Sequence, residues 1–220
     1  MSASSDPPPL DENWEVIFEF QPGWIDLTLQ EGTKAEAMAL STDVVNGLNP
    51  LGLEIETSAA FDDMVRRAVR LNSDVPALAA AYYTEAGEAL ADLMVDGYGD
   101  EGVPRPSAEE VTPMMLQWGN ARVTGEPQIT RLELPAGPAV RVQSMLEVKR
   151  WLGFGRKLAE YIRYAVFPPR MKTLVVVTVT WEKIARSEEI TALADEALRS
   201  MQLNPVSEEG VPIPADGETE

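Results

Sequence analysis

The clearest structural signal in the chain is YIRYAVFPPRMKTLVVVTVTW, residues 161–181. It contains two apolar runs, 161–167 and 173–181, on either side of a short Pro-Pro-Arg-Met connection. Runs rich in Val, Tyr and Thr that are bounded by proline are typical of β-strands. The short connection therefore predicts an antiparallel hairpin. Thr178 and Thr180 alternate with apolar residues, so we expect one face of this hairpin to be partly wet.

The segments around this hairpin predict further strands and a helix. Ser187 opens a predicted helix that runs to about Met201, with apolar residues at helical spacing on one side. Upstream, residues 114–123, 129–134 and 139–148 read as strands. The last two are joined by Pro-Ala-Gly-Pro, a tight connection.

The N-terminal half begins with two predicted strands, 14–20 and 24–29, which we expect to pair as a hairpin across Pro-Gly. Three helices are predicted next, over 33–48, 58–71 and the alanine-rich segment 74–95. Strands, then helices, then strands and a last helix indicate an α+β fold. Its sheet should be mostly antiparallel and flanked by helices.

Length and composition indicate one domain, because 220 residues with 45% apolar content can bury a single core. We predict a disordered arm over 1–12, a single α+β domain over 13–203 and a disordered acidic tail over 204–220. No apolar run approaches the 18 residues of a membrane span, and no signal peptide is visible. The expected location is cytoplasmic.

Several kinds of chemistry are unavailable to this chain. It has neither histidine nor cysteine, which removes Ser-His-Asp triads, Cys-His pairs and the usual zinc ligands. With 36 acidic and 18 basic residues its net charge is −18, which disfavours nucleic-acid binding because phosphate contacts dominate that affinity. We predict no cofactor, no membrane, and another protein as the partner.

Basic residues are concentrated in one window, with eight of them and only two acidic residues between Arg141 and Lys172. Trp and Arg are enriched at interface hot spots. The residues predicted to bind a partner are Arg150, Trp151, Phe154, Arg156 and Lys157. The alternative is a turn whose aromatic side chains complete the core.

An acidic segment offers a second possibility, a divalent-cation site for a carboxylate-based enzyme or a cation-binding protein. On a predicted helix Asp92 and Asp96 would share a face, and Asp100 and Glu101 follow in a glycine-containing loop. Carboxylates are the ligands that Mg²⁺ and Ca²⁺ prefer. The spacing does not match an EF-hand, and a solvated acidic helix end is the favoured explanation.

The chain also resembles a known fold. The motifs that carry the resemblance are Pro-Gly-Trp at 22–24, Leu-Pro-Ala-Gly-Pro-Ala-Val-Arg-Val at 134–142, Tyr-x-Val-x-Pro-Pro at 164–169, Leu-Val-Val-Val-Thr at 174–178, and the closing amphipathic helix. Over about residues 14–203 this order resembles the Mog1/PsbP-like α/β/α sandwich, particularly small actinobacterial proteins of that type. The resemblance implies a fold used mostly for binding other proteins, and it transfers no catalytic residue. The leading hypothesis is a non-catalytic interaction module, an adaptor or an immunity-type protein.

Overall fold

A computed structural model of the chain describes residues 13–48, 57–99, 103–119, 121–149, 156–169 and 171–206. The strands are β1 (Trp14–Ile17), β2 (Trp24–Asp26), β3 (Leu78–Tyr83), β4 (Ala89–Tyr98), β5 (Ala121–Leu134), β6 (Gly137–Lys149), β7 (Arg156–Val166), β8 (Leu174–Trp181) and β9 (Gln202–Pro205). The helices are α1 (Lys34–Leu48), α2 (Thr57–Leu71), α3 (Ala108–Met115) and α4 (Ser187–Ser200). None of the helices in these ranges is long and apolar enough to cross a membrane.

Seven strands form one antiparallel sheet in the order β2-β3-β4-β8-β7-β6-β5, and β1 pairs with β9 in a separate ribbon. The predicted α+β class with a mostly antiparallel sheet is confirmed. The β7–β8 hairpin predicted from residues 161–181 is present, with Val166 opposite Val175. The closing helix is also present, as α4.

The sheet separates two layers of side chains. On one side, the α4 face, Tyr164 and Val177 pack with Ile190 and Leu198 of α4. On the other side, the three-helix face, α1 and α2 cover β3 and β4, while α3 covers β6 and β7. Strand β8 lies between these two groups of helices, so its residues on this face lie between α2 and α3.

The alanine-rich segment 74–95 is not a helix, contrary to the prediction. It forms β3 and β4, which are joined by a turn in which Gly87 has a φ of +75°. Ala79 and Ala81 are fully buried beneath the helices of the three-helix face. Their small side chains leave room for helices against a sheet, so here tertiary packing overrides the helix propensity of alanine.

Two further predictions were wrong in part. The predicted strand over 114–123 begins only at Ala121, because α3 occupies its first residues behind a capping box made by Ser107 and Glu110. The two N-terminal strands do not pair with each other: Val16 lies opposite Leu203, and Ile25 lies opposite Ala81. Short strands offer few hydrogen bonds, so their partners are set by which edge the core presents to them.

Candidate binding surfaces

The predicted partner-binding residues lie at and around the start of β7. Arg156 and Lys157 are exposed there, whereas Arg150, Trp151 and Phe154 lie outside the described residues. Arg156 donates to Glu147 at 2.5 Å, and Lys157 forms an ion pair with Glu182. Each of these two cations therefore has an acidic partner within the chain. Their role in binding a partner remains a prediction.

The basic window does not form one patch among the residues that the structure describes. Arg141 lies on the α4 face with Asp195, whereas Arg163 lies on the three-helix face beside Trp118. Alternation along antiparallel strands sends these side chains to opposite sides of the sheet.

The candidate cation ligands Asp92 and Asp96 lie on β4, so the prediction that they share a helix face is wrong. The Asp92 carboxylate accepts hydrogen bonds from Arg67 and Arg70, at 2.5 Å each. Asp100 and Glu101 lie outside the described residues. Within the described ranges, no three acidic side chains come close enough together to hold a metal ion.

Polar side chains lie over β8 on the three-helix face, between α2 and α3. Strand pairing puts Met94, Thr178 and Arg163 in one row across β4, β8 and β7, and Asp92, Thr180 and Tyr161 in the next row. Thr178 is buried and Thr180 is half-buried, so the expectation of a partly wet face holds at Thr180. We call this region, together with Asp96 and Trp118, the inter-helix trough.

Arg163 is the central cation of the trough. Its guanidinium carbon lies 3.8 Å from the centre of the Trp118 ring, a cation–π arrangement. Its Nη1 donates to the carbonyl oxygens of Met115 and Gln117, both at 3.0 Å, and so caps the C-terminal end of α3. Burial lowers the pKa of Arg163. Among the described residues no carboxylate lies within 4.0 Å of its nitrogens.

Three buried polar atoms of the trough lack a hydrogen-bond partner among the described residues: Trp118 Nε1, Tyr161 Oη and Arg163 Nε. An unsatisfied buried group of this kind costs about 1–3 kcal/mol. Burial raises the pKa of the Tyr161 hydroxyl, and the nearby Trp118 N–H and Arg163 cation only partly oppose that rise. Such groups are rare in native proteins, so three of them in one place call for an explanation.

The acidic member of the trough is Asp96. Its pKa is raised by burial and by the charge of Asp74, and the Arg163 cation opposes the rise without cancelling it. Tyr98 lies two residues further along β4, on the same face, and its side chain is 53% exposed. Burial and the Asp96 charge raise the pKa of Tyr98.

Sequence reasoning did not single out Trp118, Tyr161 or Arg163 as functional. The available signal was one arginine inside the otherwise apolar run Tyr-Ile-Arg-Tyr-Ala-Val. A lone arginine at a strand position needs either a partner or a function, because charges are almost never buried unpaired.

A different feature lies at the edge of the sheet, along β5. Glu133 lies opposite Pro138, and since proline has no N–H this is a non-hydrogen-bonded pair. In agreement, the Pro138 carbonyl accepts from Phe167 N–H on its other side at 2.8 Å. Hydrogen-bonded pairs alternate along the ladder. The N–H and C=O groups of Ile129, Arg131 and Glu133 therefore point away from β6, along the outer edge of the sheet.

The side chains of this edge are open to solvent as well. Ile129 is 51% exposed, and Arg131, also exposed, donates to Glu109 of α3 at 2.9 Å. We call residues 128–134 of β5 the free edge. At the opposite side of the sheet the edge strand is β2, which has only three residues.

No known protein family matches the chain, and no curated protein is similar to it in sequence. Among solved structures it is similar to the crystal structure of LpqN, involved in cell envelope biogenesis of Mycobacterium tuberculosis, at 10% identity and a TM-score of 0.46, with 92% of this chain and 88% of that chain covered. It is also similar to the Saccharomyces cerevisiae Ran-binding protein Mog1p, at 12% identity and a TM-score of 0.32, with 59% of this chain and 81% of that chain covered.

Proposed function

We propose that this chain is a non-catalytic protein-binding module, of the adaptor or immunity type, that takes up an extended segment of its partner at the free edge. The observation that supports this is the row of outward-pointing backbone groups at Ile129, Arg131 and Glu133. A long exposed edge is a template for pairing with another chain. Strand addition to such an edge is a recurring mode of peptide recognition.

The side chains of the free edge fit a partner strand of mixed character. Ile129 offers an apolar contact, while Arg131 and Glu133 offer opposite charges on the same face. Backbone hydrogen bonds supply affinity in this mode, and alternate side chains supply specificity. The expected partner segment is therefore extended, with an apolar residue and charges that complement Arg131 and Glu133.

The predicted basic residues Arg156 and Lys157 lie at the start of β7, two strands in from the other end of β5. Arg122 of β5 lies opposite Glu147, and Glu147 also accepts from Arg156. A partner strand that extends along β5 would approach Arg156 and Lys157. Exposed charges of this kind contribute mainly to the rate of association, so Lys157→Ala should lower the association rate and its dependence on salt.

Ile129→Pro tests this proposal, because it removes an outward N–H without removing a hydrogen bond to β6. Ile129→Ala is the matched control that removes the side chain and keeps the N–H. A partner captured from the native host is purified, and its affinity for each variant is measured. We expect at least a tenfold loss for Ile129→Pro, a smaller loss for Ile129→Ala, and melting temperatures within a few degrees of the native chain.

Equal affinity of the native chain and Ile129→Pro would exclude strand addition at the free edge. Light scattering of the native chain over a range of concentrations identifies the case in which the partner strand comes from a second copy. The large negative charge opposes such self-association. We expect a monomer.

A further inference from the structure

One side of the Arg163 guanidinium makes no hydrogen bond to the described residues. Nη1 already donates to two carbonyl oxygens at the end of α3. Nε has no partner among the described residues, and Nη2 makes no hydrogen bond to them. The side formed by Nε and Nη2 is one that binds a carboxylate through two parallel hydrogen bonds, because its two N–H groups match the spacing of the two oxygens.

Two aromatic side chains that carry a polar atom, Tyr161 and Trp118, lie beside this guanidinium. The Tyr161 ring centre is 5.8 Å from the guanidinium carbon and 4.9 Å from the centre of the Trp118 ring. The Tyr161 side chain is fully buried; the Trp118 N–H is directed toward its hydroxyl, but neither group makes a hydrogen bond of good geometry with a described residue. All three groups can donate hydrogen bonds. The cluster therefore has one positive charge, donors without acceptors, and aromatic walls.

Asp96 does not serve as the partner of Arg163. It lies on β4, two strands away, and no oxygen of it comes within 4.0 Å of the guanidinium. A carboxylate in a close ion pair with arginine has a lowered pKa, whereas the pKa of Asp96 is raised. The positive charge of Arg163 is therefore left without a close partner among the described residues.

We propose that Arg163, Tyr161 and Trp118 form a binding site for one carboxylate group carried on an apolar, preferably aromatic, body. The aromatic walls of Trp118 and the exposed ring of Tyr98 suit the body. A single negative charge is preferred because the charge of Asp96, which acts on Arg163, would repel a second one. This site is on a face of the sheet and is separate from the free edge of β5.

A carboxylate reaches the covered atoms only if the Trp118 indole, which lies over the guanidinium, moves. Binding is therefore expected to change the fluorescence of Trp118, with Trp118→Phe identifying its share of the signal. The probe is sodium benzoate, and benzyl alcohol is the uncharged comparison of nearly the same size. We expect benzoate to give a saturable change and to raise the melting temperature, with benzyl alcohol at least tenfold weaker.

Two substitutions connect the binding to the named atoms. Tyr161→Phe removes only the hydroxyl and should weaken benzoate about fivefold, whereas Tyr82→Phe, on the other face of the sheet, should leave it unchanged. Arg163→Lys keeps the charge and loses the paired donors, and should weaken benzoate more than tenfold. If Arg163→Lys fails to fold, judged by circular dichroism, the Tyr161→Phe and Tyr82→Phe pair decides the matter. Equal binding of benzoate and benzyl alcohol, or equal effects of the two tyrosine variants, would overturn the proposal.

The carboxylate has two possible sources, a small organic acid or the C-terminus of a peptide. Ala-Ala-Phe with a free carboxylate and the same peptide as an amide separate them. Binding of either compound is consistent with the proposed carboxylate site. Tighter binding of the peptide acid than of benzoate assigns the site to a protein terminus, and the reverse assigns it to a free acid.

Discussion

Two arginines on neighbouring strands show how differently the two faces of the sheet treat the same kind of side chain. On the α4 face, Arg141 Nε donates to Asp195 at 3.0 Å and Nη2 donates to Gln143 at 2.7 Å. On the three-helix face, Arg163 stacks on Trp118 and caps α3, but among the described residues it has no close carboxylate and its Nε has no hydrogen-bond partner. Arg141 is part of a complete hydrogen-bond network, whereas Arg163 has no hydrogen-bond acceptor at its Nε among the described residues.

Two tyrosines of β7 repeat the contrast. Tyr164 donates to Asp195, and its pKa is raised by burial and by that carboxylate. Tyr161 is also fully buried, yet its hydroxyl has no partner among the described residues. The network around Asp195 fixes α4 against the sheet, so its purpose is structural. Unsatisfied groups have no such benefit for stability, which is why we assign a binding role to the trough.

The largest effect on stability is expected from Asp195→Ala. It leaves the Arg141 guanidinium, only 10% exposed, without its carboxylate and removes the acceptor of Tyr164. Breaking a buried pair of this kind costs roughly 3–5 kcal/mol. Urea unfolding measures the loss, and Glu196→Ala, at an exposed position of the same helix, should change stability by less than about 0.5 kcal/mol. Similar losses in both variants would mean that the α4 network stabilises nothing.

An intermediate effect on stability is expected when the hydroxyl groups of Tyr164 and Tyr161 are removed one at a time. Tyr164→Phe breaks a hydrogen bond to a charged acceptor and should cost about 1.5–3 kcal/mol. Tyr161→Phe removes a group without a partner, so it should leave the free energy of unfolding unchanged or raise it. If both variants lose the same stability, the Tyr161 hydroxyl has a structural partner and the contrast between the two faces disappears.

The smallest effect concerns the pH dependence of stability. Because burial raises the pKa of Asp96 above its ordinary value of 3.8, the folded state binds this proton more tightly than the unfolded state. Asp96 therefore lowers stability at neutral pH, and this loss is relieved as pH falls through its folded pKa towards 3.8. Asp96→Asn should stabilise the chain at pH 7, with little effect near pH 3.

Asp63 should change the pH dependence of stability in the opposite direction to Asp96. Burial raises its pKa, but hydrogen bonds from Arg67 and Tyr83 outweigh that effect, so the pKa is lowered overall. Its contribution to stability is present above pH 3.8 and is lost as pH falls through the folded pKa. Asp63→Asn should destabilise the chain at pH 7. Thermal unfolding between pH 3 and 7 compares both variants with the native chain, and shifts of the same sign would contradict this account.

The part of the fold that sequence reasoning found is the part with strong local signals. The β7–β8 hairpin has two apolar runs and a proline-rich turn, and α4 has a clear apolar stripe with a serine at its start. The segment 74–95 lacked such a signal, because alanine suits both a helix and a strand beneath packed helices. The Gly87 turn was the sign of a hairpin there. Arg150, Trp151 and Phe154 remain predictions, since they lie outside the described residues.

By itself, the sequence determined the class of the fold, the main hairpin, the closing helix and the chemistry that the lack of histidine and cysteine excludes. The folded chain was needed to see that Arg141 meets Asp195, while Arg163 meets no carboxylate in the described ranges. Strand alternation sends these two side chains to opposite faces, but which helix covers each face depends on contacts between residues far apart in the chain. The order of the strands likewise decided that β5 is the long strand at an edge of the described sheet.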